Sequence, residues 1–390
     1  MSNHSVKSIV PLAALLETPP QNGYSPICPN EPTGKWVLGL SALSERRLDL
    51  SNAKPAPIDD PVVDRFLLQP GDFLISRSNT IDKVGRVGVF RGGLDGCSYP
   101  DLMMRFRPDA SKIFPDYLEV YLRSKVTVKY IQSHATGTSG SMKKINQAIV
   151  ESIPVLLLNL KDQQKIATIH STWDLSIEKI ERLSKAKEDQ FAWLRNKLIS
   201  QGSVKGNWRR VNLQEMAEIN KGQQLNVADM VDTGKYYALN GGIEPSGFTN
   251  NWNTLENTIT ISEGGNSCGF VNFNVKKFWC GGHCYALNNL IREVSEKYLY
   301  HFLKAYEQSL MSMRVGSGLP NIQKKDLQNF PIIFPLLSEQ NVIAETLNTA
   351  RQEIDLLKKQ AEAYHRQKHG LMQRLLSGKW RVKVGGEVLG

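Results

Sequence analysis

Residues 329–347 read NFPIIFPLLSEQNVIAETL, and residues 152–170 read SIPVLLLNLKDQQKIATIH. Each passes from an apolar stretch through a proline (Pro154, Pro331) to more aliphatics, then to an acidic residue followed by glutamine (Asp162-Gln163, Glu339-Gln340), and on to Ile-Ala. The offset, 177 (331 − 154), holds without a gap over dozens of residues, so the chain carries an internal repeat.

The repeat continues as a helical pattern. Ile343, Leu347, Ala350, Ile354, Leu357, Ala361, Tyr364, Lys368, Leu371 and Leu375 step alternately by four and three, a heptad seam interrupted only at Lys368. The first copy aligns Ile166, His170, Trp173, Ile177, Ile180, Ser184, Lys187, Phe191, Leu194 and Leu198 on the same seam. Each copy reads as one amphipathic helix of about 40 residues, about 60 Å long. Pro154, Pro331 and Pro335 must precede the helices, which places them over about 161–201 and 338–377, with Ser338 as an N-cap and Gly202 and Gly378 at C′ positions. A narrow apolar stripe is buried by pairing with another such stripe, and the nearest partner is the other copy. The connectivity then requires an antiparallel coiled-coil pair with a globular domain at each end and an approximate two-fold relation between the halves.

The segments before each helix share a script. In the first, Phe73–Ser76, Val87–Phe90 and Leu102–Phe106 read as strands and Asp116–Arg123 as a helix. In the second, Thr258–Ser262, Gly269–Phe273 and Tyr285–Leu287 read as strands, followed by a helix over Glu296–Ser309. Both close on a Gly/Ser loop (Gly137–Ser141, Gly316–Gly318). The fold class is therefore α+β, with boundaries at 1–150, 151–206, 207–330 and 331–390.

At 390 residues the chain is long enough for two cores. No apolar run approaches the roughly 18 residues that span a bilayer, and the N-terminus is a poor signal peptide, so a cytoplasmic protein with no membrane partner is expected. An excess of 48 Lys+Arg over 38 Asp+Glu, net +10, favours a polyanionic partner. Five cysteines make no disulfide framework. Cys280-Gly-Gly-His283-Cys284 lacks the second separated pair of a zinc site, so no metal is expected and the thiols read as free or buried. No phosphate loop, aminomethylation motif or HExxH occurs, so neither catalytic residues nor a cofactor are expected.

Taken together, Trp208–Leu213, Glu218–Gly222, the loop Asn240–Gly247, Asn257–Ile261, Gly71–Arg77 and Val84–Gly88, with the twofold Pro segment and long helix, resemble the specificity (S) subunit of type I restriction-modification systems. The first half offers no counterpart of Trp208–Leu213. The resemblance implies a non-catalytic subunit with two target-recognition domains, 1–150 and 207–330, each reading half of a split double-stranded DNA site. It also implies that the spacers, 151–206 and 331–390, dock two methyltransferase subunits and, through them, restriction/translocase subunits.

Two readers related by a two-fold axis take half-sites about one helical turn, roughly 34 Å, apart, and readers that differ select an asymmetric bipartite target. Base reading needs Arg, Lys, Asn or Gln at the major groove. In the first domain these are Arg77, Asn79, Lys83 and Arg86 in the loop, with Arg91 and Tyr99 beyond it. In the second they are Gln223, Gln224, Asn266, Lys276 and Lys277. Lys143, Lys144 and Arg314 flank the Gly/Ser loops and suit phosphate. Taken singly, each reads equally well as a solvated side chain. The apolar seam positions from Ile166 to Leu198 and from Ile343 to Leu375 are the expected helix and subunit interface. Two readings compete with DNA recognition: a coiled-coil adapter that binds proteins alone, and a nuclease with an unrecognised site.

Overall fold

The computed structural model describes residues 8–44, 47–137, 142–201, 208–316 and 320–380. The chain divides into two compact units, residues 1–179 with 361–390, and residues 180–360.

The first unit is built on a four-stranded antiparallel sheet in the order Leu16–Asn22, Met103–Pro108, Phe73–Ser76, Val87–Val89. A small sheet sets Trp36–Val37 between Lys54–Pro55 and Cys97–Ser98. Alternation along the strands divides the cores. Phe73, Ile75, Met104 and Phe106 face the helices Pro115–Leu122 and Lys125–His134, whereas Leu74 and Met103 face the small sheet.

The second unit repeats this plan. Its large sheet runs Glu218–Lys221, Cys284–Asn288, Thr258–Ser262, Val271–Asn274, and its small sheet sets Tyr236–Leu239 between Gly247–Thr249 and Trp279–Cys280. Here Ile259, Ile261, Tyr285 and Leu287 face one core while Cys284 and Ala286 face the other.

The Pro segments are strands. Pro331–Phe334 pairs with Arg209–Asn212, and Pro154–Leu157 pairs with Ser8–Pro11 in the same register, Arg209 opposite Phe334 and Ser8 opposite Leu157. Leu213 and Leu12 then donate their N–H groups to Phe330 and Ile153 O, both at 2.9 Å. The first half thus has its counterpart of Trp208–Leu213 after all, at residues 8–12. A two-stranded ribbon is held by main-chain hydrogen bonds that ask little of the side chains, so the letters diverged while the strand stayed.

The acidic-Gln pair has a structural reason. Gln163 is fully buried, accepts from Phe114 N–H (2.7 Å) ahead of the helix Pro115–Leu122, and donates to Leu158 O (2.7 Å). Gln340, also fully buried, accepts from Ser295 N–H (2.9 Å) and donates to Pro335 O (2.9 Å) and Glu293 O (2.8 Å). In each unit one carboxamide ties the start of the long helix to the start of the domain helix. Nearby, Tyr117 and Tyr298 hydroxyls donate to Leu156 and Ile333 O, positions again 177 apart (333 − 156).

The first long helix is Leu160–Arg195, continued by a wider π turn over Asn196–Gln201, and the second is Leu337–Leu376. Asn159 caps the first through Asp162 N–H (2.9 Å). Ser338 lies inside the first turn of the second and is not its cap, because the helix begins one residue earlier. Gly378 takes φ +66° and donates to Leu375 O, as a C′ glycine does; Gly202 lies outside the described residues, as do most of the two Gly/Ser loops.

The helix segments run antiparallel within each unit. In the first, Ile166 shares a core with Leu371 and Leu375, while Trp173 meets Tyr364 edge-on at 5.3 Å and Lys368 pairs with Asp174 at 2.5 Å. In the second, Leu194 and Leu198 share a core with Ile343 and Leu347, while Lys187 pairs with Glu353 and Glu188 with Lys358. Ile177, Ile354 and Ala361 are buried, and Ile180 and Leu357 are half-buried. Within each unit the seam thus does two jobs, closing the two helix segments on each other and completing the globular core. No helix among the described residues is long and apolar enough to cross a membrane.

Candidate nucleic-acid interface

In both units the third strand of the large sheet ends in serine and releases a polar loop that turns back at glycine. Ser76 N–H donates to Arg86 O and Gly85 N–H to Ser76 O; Ser262 N–H donates to Phe270 O and Gly269 N–H to Ser262 O. Gly85 (φ +78°) and Gly269 (φ +88°) occupy the left-handed region. A Cβ on Gly85 would stand 2.5 Å from Ile131 Cγ2, and one on Gly269 would stand 2.8 Å from the Met311 backbone, so a helix presses each turn and only glycine fits. The loops 77–84 and 263–268 are therefore one structural feature occurring twice. Their bases are tied alike: Ile145 N–H donates to Arg77 O and Ile322 N–H to Glu263 O.

The first loop gathers six of the expected residues. Arg77 donates from Nη1 to Asp101 O (3.3 Å). Asn79, Lys83 and Arg86 line an open cleft of about 540 Å³ with Leu40, Ser41 and Leu43. Lys143 and Lys144 form a strand opposite Asn79 and Ser78, with Lys143 Nζ on Gly137 O (2.7 Å) and Lys144 exposed. Arg91 and Tyr99 do not join them. The Arg91 guanidinium is held by Asp116 (2.9 Å) and Glu119 (2.6 Å) at a helix start. Tyr99 is fully buried against Phe66, its hydroxyl near Gln21 O, and burial pushes its phenol up to about 12. A buried ring cannot touch a duplex, and a doubly paired arginine has little charge left to offer one.

In the second unit Asn266 is exposed at the loop tip, and exposed Arg314 adjoins Val315, which bridges to Asn321 beside the loop. Gln223 and Gln224 follow the strand Glu218–Lys221, with Gln224 close against Gly282. Lys276 and Lys277 lie past the far end of the strand Val271–Asn274, away from the loop, with Lys277 Nζ 4.4 Å over the Trp252 ring.

Four residues that the sequence did not point to as DNA contacts meet at this loop. Glu263 is only 6% exposed. Its carboxylate accepts from Lys221 Nζ (2.6 Å) and Tyr285 Oη (3.0 Å), and His283 Nδ1 lies 3.8 Å away. Burial and then the Glu263 carboxylate push the Tyr285 phenol up to about 12, so it stays a donor. Glu263 occupies the position of Arg77, the first residue after the strand-ending serine: the two loops begin with opposite charge. Aligning Ser76 with Ser262 would have exposed the contrast. Among the described residues no three or more His, Cys, Asp or Glu gather to hold a metal, and all five cysteines are free thiols.

Residues 205–363 match the family model of the type I restriction modification DNA specificity domain. A putative type I specificity subunit of Mycoplasma pneumoniae is 35% identical over 157 residues, 40% of this chain and 42% of that protein. The chain thus spans less than half the length of this relative, and 40% of a similar Mycoplasma genitalium subunit. A putative MjaX specificity subunit of Methanocaldococcus jannaschii is 25% identical across 93% of this chain and 91% of its own. A crystal structure of the S subunit from M. genitalium shares the fold, with TM-score 0.66, 16% identity, and coverage of 96% of this chain and 97% of that one. A structure bearing on complex assembly in the type I system shares it at TM-score 0.61 and 17% identity over 96% of this chain and 98% of that one. With the repeat, the paired helix segments and the twice-built loop, these likenesses converge: residues 205–363 match the type I restriction modification DNA specificity domain, and the chain as a whole is similar to type I specificity subunits and shares their fold.

Proposed function

We propose that this chain reads an asymmetric, bipartite site in double-stranded DNA without chemistry of its own, as the recognition subunit of a cytoplasmic restriction-modification enzyme. The observation that carries this reading is the loop built twice on one scaffold with different residues. Loop 77–84 brings Arg77, Asn79 and Lys83, and Arg86 follows its closing glycine; the set is suited to guanine, adenine and phosphate. Loop 263–268 brings Asn266, with Lys221, Tyr285 and His283 around the buried Glu263 carboxylate, which orients Lys221. Lys143, Lys144 and Arg314 hold phosphates. Residues 1–150 and 207–330 are the reading domains, while 151–206 and 331–390 are the spacers that dock two methyltransferase subunits and, through them, restriction/translocase subunits. The relation of one structural neighbour to complex assembly in the type I system supports the docking part.

The test is selection from a randomised duplex library by the full chain together with its methyltransferase subunits. The expected winner is a split motif whose halves differ, and Arg86→Ala relaxes one half while Asn266→Ala relaxes the other. No enrichment at any salt concentration, or an enriched palindrome, contradicts the reading.

A further inference from the structure

The first unit holds an open cleft of about 900 Å³ between the helices Pro115–Leu122 and Lys125–His134 and the segments 160–179 and 361–376 of the long helices. It belongs to no part of the reading surface. Lys125 and Lys129 face it from the N-terminal end of the helix whose other end supports loop 77–84 through Ile131 and through Gln132, which donates to Ile81 O. Its floor is apolar, formed by Val120, Met372 and Leu376. Its walls carry five Lys and Arg side chains against a single carboxylate, Asp174. That carboxylate is occupied, since Lys368 Nζ lies 2.5 Å from it and His170 Nδ1 3.2 Å. Arg123 has Glu119 at 3.2 Å. Lys125 and Lys129 are exposed and carry no ion pair among the described residues.

The repeat supplies an internal control. Asp174 corresponds to Arg351, Lys368 to Phe191, Met372 to Arg195 and, by the shared tyrosine hydrogen bond, Val120 to His301. In the second unit the Phe191 ring fills this place, 6.4 Å from the His301 ring, with the Arg195 and Arg351 guanidinium groups 5.8 and 6.0 Å from its centroid. The first unit has put a lysine where the plug would stand. A lysine in one half where the other half sets an aromatic ring is a property of this site, not of the scaffold.

We propose that this cleft binds a nucleoside oligophosphate, its ring on the aliphatic floor and its phosphates among Lys125, Lys129, Arg366 and Lys368. The volume suits one such molecule, and an apolar floor beneath a cationic rim favours a ligand with one apolar and one multiply charged end. A duplex backbone would call for an open strip instead.

Calorimetric titration of the full chain with ATP and with inorganic triphosphate tests this. ATP is expected to bind more tightly than triphosphate alone, and Lys125→Glu/Lys129→Glu to weaken ATP at least tenfold. Lys276→Glu/Lys277→Glu, which changes net charge equally but elsewhere, is expected to leave ATP binding unchanged. Met372→Trp, which fills the floor, should weaken ATP more than triphosphate. The proposal is overturned if neither anion binds, if both charge reversals weaken ATP alike, or if an acidic peptide or duplex DNA binds the cleft and ATP does not.

Discussion

Gln163 and Gln340 look like ordinary polar residues opening an amphipathic helix, yet each is wholly buried and fixes two chain segments at once. Gln340→Ala strands the Ser295 N–H and two carbonyls and should cost about 1–3 kcal/mol, read from urea denaturation. An unchanged midpoint would mean water replaces the carboxamide. The turn glycines are stricter. Gly269→Ala should destabilise by at least about 2 kcal/mol, whereas Gly71→Ala, at φ +96° but with open space, should cost about 1 kcal/mol for its backbone alone. Comparable losses at both sites would remove the steric argument. His301 is 3% exposed, and its pKa is lowered to about 4, first by burial and then by Arg195 and Arg351. The unfolded chain protonates this imidazole near 6.5 and the folded chain does not until about 4, so stability is full above 6.5 and is lost as pH falls between those values, by up to about 1.4 kcal/mol per pH unit. His301→Gln should flatten that part of the stability profile. A variant as acid-sensitive as the parent would contradict it.

The long helices show what periodicity conveys and what it omits. Ile354 on the seam is fully buried, while Leu356 two residues on is 66% exposed. Ile354→Asp should lower the melting temperature sharply, by more than about 3 kcal/mol in stability, and Leu356→Asp should stay within about 0.5 kcal/mol, as followed by circular dichroism. Equal effects would mean the stripe is not the packing face. The heptad spacing and the offset of 177 made the helices, their antiparallel sense and the repeat legible, because both are properties of linear order. The strand Ser8–Pro11 was not legible, since its ladder is main-chain and its letters are free to change. Nor was the Glu263 cluster, since Lys221, His283 and Tyr285 come to it from separate strands. Tyr99 misled for the opposite reason: beside a polar loop in the sequence, it points inward at the end of a buried strand.

Across the whole molecule, two units share one plan and differ where a DNA reader would differ: Arg77 against Glu263, and a loop of eight residues, 77–84, against one of six, 263–268. Phosphate contacts add to affinity for every sequence, whereas base contacts add only for the right one. Lys144→Ala should therefore weaken all duplexes alike and reduce the salt dependence of binding by about one ion. A change of motif instead would place Lys144 at a base.

On the reading proposed above, the chain itself chooses the bases. Methylome sequencing tests it most directly, in a host carrying the chain with its methyltransferase partner, before and after deletion of this gene and again with loop 263–268 exchanged. A split asymmetric motif is expected, one that vanishes on deletion and changes in one half only on exchange. A methylome that ignores both changes, with the protein present, would contradict it.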